Sequence, residues 1–349
     1  GTSGKTTTAR ITEQMIRDAG YSYFANRSGS NLERGIAAEF AANSTIFGRP
    51  KRTYAIIECD EAAFRTVAGK VAPRVIVVTN IFRDQLDRYS DLDHNINLLR
   101  RILDELPQTL LLLNADDPLV VTAGCDHSVA SYYGVASEQK DQTGDCEIRE
   151  GSLCPDCGAF LAYNYYNYGQ LGAYYCPNCT FRRPVPDFLA SEIQDDDYLE
   201  FILHVCQRKG RNENCSTADT VRLRAQMRGF YNVYNILAAA AAATTLGVSQ
   251  QTIASSLMEY APAAGRMEKF IYKGRPCTLN LIKNPTGLNE VLKTLLRGKG
   301  EKALVIAIND LAGDGRDVSW LWDAGFEMLD NPAGWGCGSS PEVCRCSSK

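Results

Sequence analysis

Residues 1–8 read Gly-Thr-Ser-Gly-Lys-Thr-Thr-Thr, and this stretch decides the class of fold. Its two glycines let successive backbone N–H groups turn toward one anion, its lysine supplies a positive charge for the β- and γ-phosphates, and a threonine hydroxyl can hold Mg²⁺. The apolar spacing that follows predicts a helix from Thr6 to about Ala19, whose positive N-terminal end points at the same phosphates. We therefore predict a nucleotide-binding loop made by Gly1, Thr2, Gly4, Lys5, Thr6 and Thr7.

The spacing of this loop is G-x-x-G-K-T rather than the full G-x-x-x-x-G-K-T, and no strand pattern precedes it. The plain alternative is a chance turn rich in Gly, Ser and Thr. The lysine, the run of hydroxyls and the helix behind them together favour the phosphate-binding interpretation. We expect the chain to be truncated at its N-terminus.

The composition bounds the class of protein. The 349 residues carry 37 Lys and Arg against 41 Asp and Glu, and 45% of them are hydrophobic, which is ordinary for a soluble enzyme of two or three domains. This balance offers no basic surface for nucleic acid, and no apolar run reaches the roughly 18 residues that a transmembrane helix needs. Most of the 13 cysteines are scattered singly, which favours a cytoplasmic protein over a secreted disulfide framework.

Strand-like and helix-like patterns alternate through residues 1–145. Short apolar runs predict buried strands at 54–57, 75–78 and 109–113, and a helix is predicted from Asp91 to Leu106. Each strand is followed by polar residues, which are Glu58 to Glu61, Thr79-Asn80 and Asn114 to Asp117. Because parallel strands end at the same edge of a sheet, we predict a doubly wound α/β domain with a nucleotide and its metal ion at that edge. Glu58, with Glu61 as a second candidate, is the predicted Mg²⁺ ligand.

The pattern changes between residues 146 and 184, where Tyr, Gly and charged residues replace the aliphatic periodicity. Four cysteines in this segment have the spacing C-x₂-C-x₁₈-C-x₂-C, and they are Cys154, Cys157, Cys176 and Cys179. This spacing is typical of Cys₄ zinc ribbons, in which four thiolates hold a structural Zn²⁺ and leave no position open for chemistry. Two local disulfides or a redox C-x-x-C remain as the alternative.

After the ribbon, the sheet pattern resumes at 199–205 and leads to an alanine-rich helix and a second helix at 250–259 with Ser249 as its N-cap. A hinge is predicted at 262–268. Strands at 269–272, 277–282 and 303–308 and a helix at 287–296 then predict another α/β domain. The domain boundaries follow as 1–262, with the ribbon inserted at 146–184, and 263–329, with an atypical tail at 330–349 that leaves the last domain incomplete.

Three motifs in fixed order carry a resemblance to a known family. The loop at 1–7, the stretch Phe230-Tyr-Asn-Val-Tyr-Asn-Ile-Leu-Ala-Ala and the stretch Gly265-Arg-Met-Glu together resemble the Mur ligases. Within that family the chain looks most like the MurT branch, the synthetase subunits of lipid II isoglutaminyl synthases. The closer likeness rests on the Cys₄ insertion, on residues 281–287 and on residues 314–323, and it covers residues 1 to about 329.

The resemblance implies an ATP-dependent ligase of peptidoglycan biosynthesis. MurT-like subunits use ATP to activate the α-carboxylate of D-glutamate in the lipid II stem peptide as an acyl phosphate, and ammonia from a glutaminase partner, GatD, gives D-isoglutamine. The implied cofactors are ATP and Mg²⁺, beside the structural Zn²⁺ predicted above. The implied partners are a GatD-like glutaminase in a heterodimer and lipid II at the membrane surface.

Individual residues receive roles from the same resemblance. Asn235 is expected to contact adenine and Arg266 the nucleotide, and the pair Lys283 and Asn284 is expected where the C-terminal domain closes on it. An aspartate of the C-terminal domain is expected to orient the imidazole in the active site of the glutaminase. The candidates are Asp314, Asp317 and Asp323, with Asp317 favoured because it is central in its motif. A helix cap is the structural alternative for these aspartates.

Two departures from the family pattern bear on the metal count. Gln85 stands where Mur ligases carry a histidine near a second Mg²⁺, and Arg100 stands where several carry a carbamylated lysine.

Two other functions stay open. One is a Mur or folylpolyglutamate-type ligase that adds an amino acid instead of ammonia, and the other is a non-catalytic nucleotide-binding scaffold with a zinc ribbon.

Overall fold

The computed structural model describes residues 2–26, 30–82, 92–124, 127–136, 151–196, 198–207, 216–261, 266–282, 284–297, 302–308 and 318–329. The helices are α1 (Lys5–Asp18), α2 (Glu33–Ala42), α3 (Glu61–Val71), α4 (Leu92–Asp104), α5 (Pro118–Gly124), α6 (Tyr231–Thr245), α7 (Gln250–Glu259) and α8 (Pro285–Arg297). The strands are β1 (Tyr23–Ala25), β2 (Tyr54–Ile56), β3 (Val75–Val78), β4 (Leu110–Asn114), β5 (Ala130–Val135), β6 (Ala162–Tyr168), β7 (Leu171–Tyr175), β8 (Phe188–Asp195), β9 (Leu199–Gln207), β10 (Ser216–Ala225), β11 (Arg266–Tyr272) and β12 (Arg275–Asn280). Short 3₁₀ helices at Ser319–Asp323 and Phe326–Leu329 follow α8.

A six-stranded sheet in the order β10-β9-β8-β5-β4-β3 forms the centre of the α/β fold. β3, β4, β5 and β8 run parallel, whereas β9 and β10 are antiparallel to their neighbours. The parallel strands are covered on both faces, so β3 and β4 read as nearly continuous apolar runs. β9 alternates instead, with Leu199, Phe201 and Leu203 buried in the core. The predicted parallel arrangement therefore holds for four of the six strands, and β9 and β10 make the sheet mixed. β2, which was predicted in the same sheet, pairs instead with β1 in a separate two-stranded sheet.

Helix α6 sets the position of α1 and of the loop before it. Six consecutive alanines, 238–243, are at most 5% exposed, and they lie in one core cluster with Ile11, Met15 and Ile16 of α1. Small side chains let two helices approach closely, since there is no bulky chain between their backbones. The approach brings Asn235, near the start of α6, against the residue that precedes α1.

The C-terminal part differs from the predicted second α/β domain. In the described ranges, β11 and β12 form an antiparallel hairpin, and α8 packs through Leu288 and Leu292 against Ala324 of the 3₁₀ segment. Residues 303–308 were expected to form a strand, but they form none, and all six are exposed. An apolar run becomes a buried strand only where neighbouring strands take up its backbone hydrogen bonds. No described strand does so here, so this prediction is wrong.

No helix among the described residues combines the length and the apolar character that crossing a membrane requires.

Candidate nucleotide site and metal centre

The backbone at Gly4 can be formed only by glycine. Gly4 caps the N-terminus of α1 with φ of +82°, a left-handed conformation that residues with a Cβ rarely adopt. A Cβ built at this position would also collide with the side-chain oxygen of Asn235 on α6. The predicted glycine is therefore required both by the turn and by the close approach of a second polar group.

The loop before α1 is fastened to the end of β3. The backbone N–H of Thr2 donates to the carbonyl of Asn80 at 2.9 Å, and the N–H of Ser3 donates to Asn80 Oδ1 at 2.8 Å. The hydroxyl of Thr2 donates to the carbonyl of Phe82 at 2.9 Å and accepts from its N–H at 3.0 Å. The polar residues after β3, predicted as part of the nucleotide edge, thus hold the phosphate loop in place.

Lys5 points at the acidic residue that begins α3. Its Nζ lies 3.0 Å and 3.1 Å from the two carboxylate oxygens of Glu61, in a partly buried ion pair. Burial by itself would raise the pKa of Glu61, but neighbouring positive charge, including that of Lys5, outweighs it and lowers the pKa. Phosphate oxygens at this loop and Glu61 would therefore share or compete for the same ammonium group.

Thr6 and Glu58 form the pair that fits a Mg²⁺ ion. Thr6 Oγ1 lies 3.0 Å from Glu58 Oε1, and both are oxygen donors of the kind that Mg²⁺ prefers. Two adjacent ligands in an octahedron with metal–oxygen distances of about 2.1 Å lie about 3.0 Å apart. The observed separation matches that value without rearrangement. Thr7, the other predicted hydroxyl, is buried within α1, so Thr6 is the better candidate.

Glu58 is held by Asn26, which was not predicted from the sequence as a site residue. Asn26 Nδ2 donates to the carbonyl of Glu58 at 2.8 Å, and the N–H of Glu58 donates to Asn26 Oδ1 at 2.9 Å. This two-bond clamp joins the ends of β1 and β2, which run parallel to each other. It fixes the backbone of the predicted metal ligand while its carboxylate stays directed at Thr6.

Of the nucleotide-site residues predicted in the C-terminal part, only Asn284 is seen to contact the phosphate loop in the described ranges. Asn284 Nδ2 donates to Ser3 Oγ at 3.1 Å, while its Oδ1 accepts from the N–H of Gly287 and so caps α8. The N-terminal end of α8 therefore faces the phosphate loop. For Arg266 the structure describes only the backbone, at the start of β11. Gly1, Lys283, Asp314 and Asp317 lie outside the described residues.

Asp323 is half-buried at the end of a 3₁₀ helix beside α8, next to Trp322, which is 91% exposed. None of the hydrogen bonds described for the phosphate loop involves it. A role of Asp323 toward a partner therefore stays a prediction.

Asp116 and Asp117, at the end of β4, have internal partners instead of facing the loop. Asp116 pairs with Arg183 (Nε to Oδ1, 2.6 Å) and accepts from the hydroxyl of Tyr234 at 2.6 Å. Asp117 accepts from the N–H of Ile81 at 2.8 Å. Burial raises the pKa of Asp117 to about 7, although backbone N–H groups, that of Ile81 among them, act to lower it. These two carboxylates brace the strand ends.

The four ribbon cysteines converge on one point. Their Sγ atoms all lie within 4.8 Å of one another, with Cys154 3.5 Å from Cys179 and Cys157 3.4 Å from Cys176. Thiolates at about 2.3 Å from a tetrahedral Zn²⁺ lie about 3.8 Å apart, so the donor set fits that ion. All four are free thiols, which disfavours the alternative of two local disulfides. Cys206, on β9, is disulfide-bonded, which was not predicted from the sequence.

Two family models match the chain. Residues 1–155 match the Mur ligase middle domain, and residues 281–338 match the C-terminal region of MurT ligases. Both matches agree with the resemblance inferred from the motifs.

Named relatives extend the match over most of the chain. It is 36% identical over 332 residues to the lipid II isoglutaminyl synthase (glutamine-hydrolyzing) subunit MurT of Staphylococcus aureus (strain COL), covering 94% of this chain and 70% of that protein. The Streptococcus pneumoniae (strain ATCC BAA-255 / R6) subunit of the same name is 32% identical with the same coverage. Among solved structures, a pseudomurein peptide ligase type C from Methanothermus fervidus aligns with a TM-score of 0.66 and 28% identity, over 86% of this chain and 56% of that one.

The chain thus spans 70% of the MurT relatives and about half of the solved ligase. The phosphate loop, the strand-end carboxylates and the mixed sheet all lie in the part that these proteins share with it. The chain belongs to the Mur ligase family, within its group of MurT subunits.

Proposed function

We propose that this chain is the ATP-dependent synthetase subunit that amidates the α-carboxylate of D-glutamate in the lipid II stem peptide, giving D-isoglutamine for peptidoglycan. The observation that carries the proposal is the apposition of Lys5 and Thr6 with Glu61 and Glu58 in a chain 36% identical to a MurT subunit. These groups supply the charge and the metal ligands that phosphoryl transfer needs.

The chemistry proceeds in two displacements. A carboxylate oxygen of the substrate attacks the γ-phosphorus of ATP, and ADP leaves, so the carboxylate becomes an acyl phosphate. Ammonia then attacks the acyl carbon, the bond from this carbon to the phosphate oxygen breaks, and the proton that ammonia loses is taken up by the departing inorganic phosphate. Lys5 lowers the cost of the charge that gathers on the transferred phosphoryl group, and the N–H groups of the loop orient it. Thr6 and Glu58 would hold Mg²⁺, which neutralises phosphate charge.

The other predicted residues complete the proposal. Asn235 and Arg266 contact the nucleotide, with Asn235 at the adenine, and Lys283 and Asn284 act where the C-terminal part closes on it. Support for this closure is the bond from Asn284 to Ser3. Zn²⁺ bound by Cys154, Cys157, Cys176 and Cys179 has a structural role, since four thiolates fill its coordination shell.

The partners follow from the reaction. Ammonia comes from a GatD-like glutaminase that forms a heterodimer with this subunit, to which one of Asp314, Asp317 and Asp323 lends its carboxylate. Lipid II carries its stem peptide at the cytoplasmic face of a membrane, so the proposed location of the chain is the cytoplasm.

The test is ATP turnover by the full-length protein with lipid II, using ammonium or a set of amino acids as the nucleophile. Phosphate release that requires both lipid II and ammonium, with one carboxyl group of the product converted to a carboxamide, is the expected result. Hydroxylamine in place of ammonia should trap the acyl phosphate as a hydroxamate. Turnover with an amino acid but not with ammonium would favour a Mur or folylpolyglutamate-type ligase instead. Nucleotide binding without any substrate-dependent turnover would favour a scaffold.

A further inference from the structure

The ribbon does not stand apart from the nucleotide domain, because its hairpin enters the core. β6 and β7 form an antiparallel pair, and the turn between them, Tyr168 to Leu171, is buried. Gly169 occupies the tip of this turn with φ of +54°. A Cβ there would lie 3.1 Å from the ring of Phe82 and 3.3 Å from the methyl group of Thr286. The tip is therefore in contact with the residue that anchors Thr2 and with the first turn of α8.

Gln170 makes the connection to the phosphate loop. Its side chain is 1% exposed, and its Nε2 donates to the carbonyl of Ile81 at 2.7 Å and lies 3.5 Å from Asp117 Oδ1. Asp117 Oδ2 in turn accepts from the N–H of Ile81. The backbone carbonyl of Ile81 is thus bound by Gln170 of the ribbon, and its backbone N–H is bound by Asp117 after β4. The residues on either side, Asn80 and Phe82, are those that bind the loop.

A second path leads from the ribbon to α6. Asn167, on β6, donates to the hydroxyl of Tyr234 at 2.7 Å and lies 3.3 Å from Asp116 Oδ2. Arg183, at the exit from the ribbon, completes the pairing of Asp116. Tyr234 directly precedes Asn235, whose side chain touches Gly4. The buried carboxylate therefore links the ribbon to the helix that packs on the phosphate loop.

We propose that Gln170 and Asn167 are positioning residues for nucleotide binding, through which the ribbon hairpin fixes the geometry of the phosphate loop. Thr2 and Ser3 are hydrogen-bonded to Asn80 and Phe82, the two neighbours of Ile81. A displacement of Ile81 would therefore also displace Thr2 and Ser3. The inference rests on the proposed function, because it takes the ligand of the loop to be ATP.

The experiment measures the dissociation constant of Mg²⁺–ATP by calorimetric titration of the full-length protein in its complex with the glutaminase. Two variants each remove one of these two connections between the ribbon and the phosphate loop. Gln170→Met keeps the side-chain volume but leaves the carbonyl of Ile81 without its donor, and Asn167→Ala removes the amide that meets Tyr234. Asn164→Ala is the matched control, since Asn164 lies on the same strand with an exposed side chain. Metal content and the unfolding temperature are recorded for every variant.

Both path variants should bind ATP about tenfold more weakly with metal content unchanged, as expected for a lost buried hydrogen bond next to a binding loop. The control should stay within about twofold of the unchanged protein. In steady-state kinetics the KM for ATP should rise while the KM for the peptide substrate does not.

Unchanged affinity in both variants, whether or not their unfolding temperature falls, would assign the hairpin a purely structural role and overturn the inference. If Gln170→Met does not accumulate, Asn167→Ala decides alone, because its side chain is only half-buried. An unchanged protein that fails to bind ATP at all contradicts the proposed function instead, so the two failures are distinguishable.

Discussion

Lys5 already has a partner in the structure, the carboxylate of Glu61, 3.0 Å away. A phosphate that enters the loop brings more negative charge than one carboxylate, so the ammonium group is drawn toward it at the expense of this ion pair. Glu61 therefore holds the ammonium group of Lys5 beside the start of α3. The long, flexible side chain is ordered in advance, which reduces the entropy lost on binding.

Lys5→Ala should reduce kcat/KM for ATP-dependent amidation by about 10²- to 10³-fold, because the transferred phosphoryl group loses its nearest positive side chain. Arg10→Ala is the matched control, since Arg10 is a cation of the same helix whose partner is Glu13. The measurement is the amidation rate of the full-length enzyme with ammonium. Lys5 is not a phosphate ligand if both variants react at the same rate.

The roles of Glu58 and Glu61 can be distinguished by the Mg²⁺ dependence of variants at the two positions. Glu58 lies against Thr6 at the spacing of two octahedral ligands, whereas Glu61 faces an ammonium group. Glu58→Gln should therefore raise the Mg²⁺ concentration needed for half-maximal turnover by about tenfold, and Glu61→Gln should change it much less. A Mg²⁺ titration of the amidation rate checks this. A larger shift for Glu61→Gln would exchange the two assignments.

Asp117 makes stability depend on pH in a defined window. The folded chain keeps the proton of this carboxyl up to about pH 7, whereas the unfolded chain releases it near pH 3.8. The folded state binds more protons between these values, so the contribution of Asp117 to the free energy of unfolding falls as pH rises through the window and levels off above it. The expected size is on the order of a few kcal/mol.

Urea unfolding at pH 5, 6, 7 and 8 tests this dependence. Asp117→Asn should show a smaller decline across the series than the unchanged protein, because its side chain does not titrate. Asp104→Asn removes an exposed carboxylate at the end of α4 and should decline in parallel with the unchanged protein. Three parallel curves would show that burial does not raise the pKa of Asp117.

Single residues could be predicted from the sequence where a motif fixes their spacing. Lys5, Thr6 and the strand-end Glu58 come together as expected, and the four cysteines converge. Asn26, Asn167 and Gln170 escaped prediction, since each is a lone amide whose partners are distant in the sequence. Nothing in the local pattern separates such an amide from a solvated one.

Among the elements, the ribbon is the one whose fold would depend on a metal. Its buried apolar side chains are few, chiefly Leu161 and Tyr174, which lie with the buried Cys154 and Cys176 against Val121 of α5. A segment of this size has too small a core to be stable alone, and a structural Zn²⁺ contributes on the order of 10 kcal/mol in comparable peptides. A metal held by the four cysteines would therefore stabilise this segment together with the docking of its hairpin.

Cys176→Ser should lower the zinc content from about one ion per chain and speed amide hydrogen exchange across residues 151–184. Cys277→Ser is the control, because Cys277 is a free thiol on β12 outside the cluster. Elemental analysis and exchange mass spectrometry supply the two measurements. Absence of zinc in the unchanged protein, with both cysteine pairs oxidised, would contradict the ribbon assignment.

Elements with a strong local signal were predicted to within a few residues. α1, α4 and α7 follow their apolar periodicity, and Ser249 caps α7 through the N–H of Thr252 as expected. Strands β5, β8 and β10 were missed, because small, polar or charged residues interrupt their apolar runs. A strand at 303–308 was predicted from its apolar composition, but these residues form no strand and have no described neighbouring strand. Strand formation depends on partners that a local window does not contain.

At the scale of the whole molecule, the order of the strands is a tertiary property. The chain passes from β5 through the ribbon before it returns to β8, and these two strands are neighbours in the sheet. Because the ribbon lies in this crossover, its hairpin is carried to the ends of β3 and β4, beside the phosphate loop. The sequence predicted an insertion between two halves of a sheet, but not the face on which it docks.

The C-terminal part is where this subunit would meet its glutaminase, and α8 connects that part to the phosphate loop through Asn284. A glutaminase whose Cys and His lack an acid needs a carboxylate to orient the imidazole, and a subunit that lends one couples ammonia release to its own presence. The candidates are Asp314, Asp317 and Asp323. Of these, only Asp323 lies in the described residues, half-buried and beside an exposed Trp322.

Replacement of each aspartate by Asn in the full-length heterodimer should separate the borrowed acid from a structural one. The lending residue should lose the glutamine-dependent amidation rate by about 10⁴-fold, since a misoriented imidazole no longer activates the thiol, and should keep the rate with free ammonium. Replacement of an aspartate that only caps a helix should lower the free energy of unfolding by about 1 kcal/mol. Any loss of rate should then be the same with glutamine and with free ammonium. We expect the selective loss for Asp317. If all three variants keep their glutamine-dependent rate, the glutaminase obtains its acid elsewhere, and residues 314–323 serve only the fold of this subunit.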